Sequence, residues 1–275
     1  MSFELFPPKS DAGMESLKSS VEDLAKHSPD FMTCTYGAGG STRDRTLSVT
    51  SLVKDEFALP IASHLTCVGS TREQLCKYLQ QAEQLGVDYI VALRGDPPKG
   101  ESEFKPVEGG LHYANELVEL IREQFPSFGI LVAGYPEVHQ EAPSAEVDME
   151  NLVRKVEAGA DAIITQLFYD NEDYFKFEED CRAAGIKVPV LPGLLPVLNL
   201  KQVERIASLC KARLPDDFVA KLKQKDDPDW QFEVGVEHAI HQTQGLLAAG
   251  VAGIHFYVLN KSTATNKILE SVDGI

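Results

Sequence analysis

Four stretches of the chain share one hydrophobic pattern: AEQLGVDYIVALRGD (82–96), VEAGADAIITQLFYD (156–170), RAAGIKVPVLPG (182–193) and LAAGVAGIHFYVLN (247–260). In each, an amphipathic run stops at a glycine (Gly86, Gly159, Gly185, Gly250), and a short apolar, β-branched run follows within a few residues. Such a glycine caps a helix by taking positive φ, and the apolar run reads as a strand buried on both faces. The same reading along the rest of the chain predicts strands near 2–6, 30–34, 61–66, 89–94, 129–134, 162–166, 188–191 and 253–258. Helical stripes lie between them: Met14, Leu17, Val21 and Leu24; Leu75, Tyr78, Leu79 and Ala82; Val203, Ile206 and Cys210. Eight regular units that begin with a strand predict an α/β fold, a single (β/α)8 TIM barrel over 1–275, in preference to an open doubly wound sheet.

In such barrels the active site forms at the C-terminal ends of the strands, so polar residues that end apolar strands carry the information. They are Glu4, Thr35 with Tyr36, His64, Arg94-Gly95-Asp96, Tyr135 with Glu137 and His139, Gln166, and Tyr257 with Asn260. Glu4 lies among Phe3, Leu5 and Phe6. Alone it reads as the exposed position of an alternating strand; in register with polar ends on the other strands, it reads as a site residue facing the mouth. Partial desolvation there would favour its protonated form.

Other motifs leave alternatives open. The cluster Gly37-Ala38-Gly39-Gly40-Ser41-Thr42 could cradle an anion on its backbone N–H groups or be a plain turn; it matches neither the dinucleotide fingerprint nor a P-loop. In the predicted helix SAEVDMENLVRKVEAG, Met149, Leu152 and Val156 form the buried stripe, and Asp148, Asn151 and Lys155, with Arg154, form the next. That row suits sugar hydroxyls and a diphosphate, or a solvated salt-bridged face. His238 and His241 have helical spacing but no third ligand at zinc-site spacing, so no metal is expected. Stretch 97–109 reads as a loop.

Composition narrows the classes. A formal net charge of −16 argues against a nucleic-acid partner, which needs clustered Lys and Arg. The apolar runs fall short of the roughly 18 residues of a membrane span, and the start MSFELFPP lacks the basic and apolar regions of a signal peptide. Five cysteines without a CxxC pair read as reduced thiols, so a cytoplasmic location is expected.

FELFPPK, TYGAGGSTRDRT, HLTC, VALRGDPP, YPEVHQEA, the DxxNLxRKVxAGA helix, ITQLFYD, PGLLPV and HFYVLN occur in that order across nearly the whole chain. Together they resemble the bacterial type of 5,10-methylenetetrahydrofolate reductase, a flavoprotein barrel. The resemblance implies bound FAD, NAD(P)H as reductant, and hydride transfer through the flavin to methylenetetrahydrofolate, giving 5-methyltetrahydrofolate for methionine synthesis. By motif, Glu4 resembles the acid that helps open the folate ring, and Asp96 the aspartate beside flavin and folate. Thr35, Tyr36, Ala38, His64, Arg94, Gly95, Tyr113, Ala114, Tyr135, His139 and Ala142 match flavin-contacting positions. Asp148, Asn151, Arg154 and Lys155 match residues that hold the ribose and diphosphate. Gln166 and Gln202 look like folate contacts, with Gln166 and Thr35 bordering the nicotinamide. Ile206 stands where an aromatic residue can occur, and Lys261, a folate-carboxylate contact by motif, where arginine is common. A homo-oligomer and small-molecule partners are expected, with no separate regulatory domain. Two rivals are a folate- or pterin-binding methyltransferase barrel without flavin, and a catalytically silent barrel.

Overall fold

The structure, a computed structural model, describes residues 1–36, 43–97, 104–272 and 274. The strands are β1 (Ser2–Leu5), β2 (Phe31–Cys34), β3 (Ile61–Thr66), β4 (Tyr89–Leu93), β5 (Gly129–Gly134), β6 (Ala162–Leu167), β7 (Val190–Leu194) and β8 (His255–Tyr257). All pair in parallel and in chain order, and β8 pairs back onto β1, so the sheet closes into a (β/α)8 barrel. The register sets Glu4 beside Thr33 on one side and Tyr257 on the other.

The helices are α1 (Asp11–Ala25), α2 (Arg43–Phe57), α3 (Arg72–Gln84), α4 (Ala114–Gln124), α5 (Ala145–Glu157), α6 (Asn171–Ala183), α7 (Leu200–Cys210), α8 (Asp216–Leu222), α9 (Pro228–Ala248) and α10 (Thr263–Glu270). Where one helix per unit is expected, the described residues between β7 and β8 hold α7, α8 and α9. Pro215 precedes the first turn of α8 and Pro228 opens α9. Proline suits a helix start and breaks a helix interior, so the segment divides at these points.

Alternation along the strands builds two cores. Phe3, Leu5, Ile61, Leu65, Ile90, Ile130, Val132 and Phe256 point outward and pack with the helices in one buried cluster. Tyr78 of α3 joins it, its hydroxyl 2.6 Å from Ser63 Oγ. A smaller interior cluster of Ala62, Val91, Leu131 and Ile164, with Phe31, Tyr89, Leu93, Ala162 and Leu191 packed against it, fills the barrel axis. The polar inward positions Glu4, His64 and Gln166 lie beyond this plug, toward the strands' C-terminal ends.

The four capping glycines behave as the sequence predicts: Gly86, Gly159, Gly185 and Gly250 have φ of +69°, +118°, +87° and +75°. Two strands differ in extent from expectation. β7 begins at Val190 because Pro189 has no N–H to give the ladder, although its carbonyl accepts from Ile163 N. It runs on through Pro192-Gly193, where an added Cβ would meet Thr165 O at 2.3 Å. β8 is short: Leu259 and Asn260 just beyond it turn into left-handed backbone, with φ of +49° and +57°.

Candidate active site

A cavity of about 620 Å³ opens at the C-terminal ends of the strands. Its walls contain Glu4 from β1, Thr35 and Tyr36 after β2, His64 from β3, Arg94-Gly95-Asp96 after β4, Tyr135 and His139 after β5, and Gln166 from β6. Gln202 of α7 closes one side. Tyr257 joins them as expected, whereas the other expected mouth residues Glu137 and Asn260 do not line the cavity. Glu137 Oε1 accepts from Arg213 N at 2.6 Å. Asn260 holds the end of β1, its side chain bonding both N and O of Phe6 at 2.8 Å.

Glu4 is buried, and burial pushes its carboxyl up to about 8. His64 Nε2 lies 3.5 Å from Glu4 Oε2, and burial pushes this imidazole down to about 3. The spacing is that of an ion pair, but the same desolvation disfavours both charges. At neutral pH the contact joins a protonated acid to a neutral imidazole. Next to β1, His255 Nδ1 is 2.8 Å from Ser2 Oγ, and its ring is likewise held neutral by burial. His255 also lines the cavity and was not among the expected residues. Its signal was present in HFY: two positions before Tyr257 on one strand, it shares that residue's inward face.

Gly95 has φ of +91°, and a Cβ there would meet Val68 Cγ1 at 2.8 Å and Thr66 Cβ at 2.9 Å. Only glycine lets the chain turn from Arg94 to Asp96 at this wall. Arg94 Nη1 donates to Glu141 Oε2 at 2.6 Å, and its guanidinium lies 5.2 Å from the Phe104 ring centroid. That hydrogen bond holds the Glu141 carboxyl below its ordinary range.

Ala133 and Tyr135 also border a second cavity of about 360 Å³ between α5 and α6, lined by Asp148 and Lys155. Ser144 caps the first turn of α5, accepting from Val147 N at 3.3 Å. The helix then turns Asp148 and Lys155 inward: Asp148 Oδ2 accepts from His139 N at 2.8 Å, and Lys155 Nζ donates to Ala133 O at 2.6 Å. Burial pulls the Lys155 ammonium down to about 8. Asn151 and Arg154, one turn round, are exposed and bond each other at 3.2 Å. The polar row therefore divides into an inward pair and a solvated pair, each alternative holding for half of it.

Several expected residues lie off the large cavity. Tyr113 stands at the N-cap position of α4 and is 62% exposed, and Ala114 begins that helix. Ala142 is half-buried, donating N–H to His139 O at 2.9 Å, and Lys261 is exposed. Ala38, with the rest of the glycine cluster 37–42, falls outside the described residues, as does 98–103 of the predicted loop 97–109. The α7 stripe also differs: Val203 is buried with Ala207, while Ile206 and Cys210 line the cavity with Arg205 and Leu209. His238 stacks on Phe218 with centroids 4.0 Å apart, its Nε2 3.0 Å from Tyr169 O.

A closed parallel sheet with helices between its strands and a polar cavity at the strands' C-terminal ends defines a (β/α)8 barrel with its candidate site at that end. The family model described as methylenetetrahydrofolate reductase matches residues 1–273, and the chain belongs to that family. It is 40% identical to 5,10-methylenetetrahydrofolate reductase of Escherichia coli over 274 residues, covering 99% of this chain and 90% of that one. The Pectobacterium carotovorum enzyme of the same name is also 40% identical, covering 99% and 89%. Methylenetetrahydrofolate reductase (NADH) 1 of Arabidopsis thaliana is 39% identical over 98% of this chain, which spans only 47% of that plant relative. Among solved structures, an uncharacterized Clostridium thermocellum protein that binds 5-methyl-5,6,7,8-tetrahydrofolic acid superposes with a TM-score of 0.66, covering 98% of this chain and 92% of that one. At 15% identity it supports the fold alone. The description of the matched family names a reductase, not a methyltransferase.

Proposed function

We propose that the chain reduces 5,10-methylenetetrahydrofolate to 5-methyltetrahydrofolate, with FAD as bound carrier and NAD(P)H as reductant, and that Glu4 is the proton donor. The observation that carries the reading is Glu4 itself, a carboxyl held protonated to about 8 by burial on the wall of the strand-end cavity. Opening the folate's five-membered ring leaves electron density on the departing nitrogen. A neutral carboxylic acid supplies the proton that an ionised surface carboxylate lacks at pH 7. General acid catalysis of this kind is typically worth about 10²–10⁴-fold in rate.

The residues present fit FAD. The two cavities adjoin through Ala133 and Tyr135, suiting an elongated ligand, and among the described residues Gln202 Oε1 is a buried polar atom without a hydrogen-bond partner. Such atoms are rare in folded proteins unless a ligand or water satisfies them. Thr35, Tyr36, His64, Arg94, Gly95, Tyr135 and His139 would hold the flavin, and Asp148 and Lys155 its ribose and diphosphate. Bound FAD would supply two-electron carriage between the nicotinamide and the folate methylene carbon. Tyr113, Ala114, Ala142, Asn151, Arg154 and Ala38 remain contacts proposed by motif alone. Gln166 and Gln202 offer amides to the folate pterin, Lys261 a cation to its carboxylate, and Asp96 a negative charge that favours a cationic one-carbon unit.

The purified protein is expected to be yellow, to bleach when NADH or NADPH is added without oxygen, and to recover colour on adding methylenetetrahydrofolate, with 5-methyltetrahydrofolate detected as product. A colourless protein that refuses FAD, or one that bleaches without forming that product, contradicts the proposal.

A further inference from the structure

Arg205 sits midway along α7, three residues after Gln202 and next to Ile206, and its exposed side chain lines the large cavity. Each of the other arginines among the described residues bonds a side-chain carboxylate or amide. Arg205 bonds none. That is contrary to the charge balance of the chain, in which 42 acids face 26 Lys and Arg side chains. Asp96 borders the same cavity, yet the two make no ion pair. The stripe Gln202, Arg205, Ile206 and Leu209 thus turns an amide, a free guanidinium and two aliphatic side chains toward one space. Leu209 is 65% exposed, and Gln202 Oε1 is buried without a partner. Unmet polar and apolar groups on one helix face describe a surface completed by a ligand.

We infer that Arg205 docks the anionic end of the ligand that enters and leaves this cavity, by charge-assisted hydrogen bonds to a carboxylate or phosphate. The inference rests on the proposed reaction, in which both exchanging molecules are anions: the folate through its glutamate carboxylates, the dinucleotide through its phosphates. A chain of net charge −16 repels such molecules at long range, and a cation at the cavity wall reverses the sign where they bind. The planar guanidinium suits either anion with two parallel hydrogen bonds.

The test uses the FAD-loaded full chain and follows flavin reduction and flavin reoxidation separately, at low and high salt, for wild type, Arg205→Gln and Arg205→Lys. Hydrogen bonds to charged groups are strong enough that Arg205→Gln should raise the KM of one ligand by about tenfold or more. The change should fall on KM more than on kcat, Arg205→Lys should lie between, and the salt dependence of that KM should weaken. If the anion is the folate's, a substrate lacking glutamate should erase the difference between wild type and variant in flavin reoxidation. If it is the dinucleotide's, a phosphate-free dihydronicotinamide should erase the difference in flavin reduction. Unchanged KM values in both half-reactions overturn the role of Arg205 while leaving the reductase reading intact. A wild-type protein without either half-reaction overturns both.

Discussion

Glu4 draws its proposed chemistry from the burial that makes it costly to ionise. Phe3 and Leu5 pack outward under the helices, and the alternation between them turns Glu4 inward against His64, where neither group keeps its ordinary charge. Both shifts are also statements about stability. The folded chain holds a proton on Glu4 up to about 8, whereas an unfolded carboxyl releases it near 4.5, so stability from this group falls as pH rises through that window. His64 works in the opposite sense: its folded value lies near 3 against 6.5, so stability is lost as pH drops from 6.5 toward 3. Glu4→Gln removes only the first dependence. Urea midpoints of the unliganded variant should gain steadily on wild type between pH 4.5 and 8. A difference that stays constant across that range contradicts the burial of a neutral acid. Little of the coupling to His64 was visible in the sequence, because it depends on the inward faces of β1 and β3, on either side of β2, bringing the two side chains together; the inward turn of Glu4 itself was legible from its neighbours.

Helix α7 and the strand before it are where pattern reading and structure part. The apolar residues Val203, Ile206 and Cys210 look like one core stripe, but the helix has two partners. Val203 and Ala207 bury against α8 and α9 side chains, while Ile206 and Cys210 pack on the edge of the same cluster and also border the cavity. Periodicity reports an apolar face, not what covers it. The strand expected over 188–191 also shifts, running on through Pro192-Gly193, where Gly193 is needed because Thr165 and Tyr257 press close. Helix α9 carries the same kind of constraint at Gly235, where a Cβ would lie 2.0 Å from Val197 O. Alanine in an open helix interior is worth up to about 1 kcal/mol more than glycine. Against fixed backbone, overpacking costs roughly 1–3 kcal/mol or more, so the second effect wins. Gly235→Ala should lower the urea midpoint or abolish folding. A raised midpoint would mean that α9 does not press on the loop after β7 as described.

The molecule as a whole divides along the barrel axis. Aliphatic and aromatic side chains plug the end where the strands begin, and the titratable groups gather where they end. That division was readable in advance, because parallel strands fix which end carries each side chain: all eight strands and nearly all the polar strand-end residues of the cavity followed from strand order alone. His255 lies inside a strand, where alternation from Tyr257 points to it, whereas Arg205 and Leu209 lie on a helix whose placement over the mouth no local pattern encodes. The chain belongs to the methylenetetrahydrofolate reductase family, and the reaction proposed for it needs one proton and one hydride to reach the folate. Glu4→Gln separates the two requirements. In anaerobic stopped-flow measurements on the FAD-loaded variant, bleaching of the flavin by NADH or NADPH should proceed at nearly the wild-type rate, while reoxidation by methylenetetrahydrofolate should slow by about 10²-fold or more. Reoxidation at the wild-type rate in that variant would contradict the role of the buried acid.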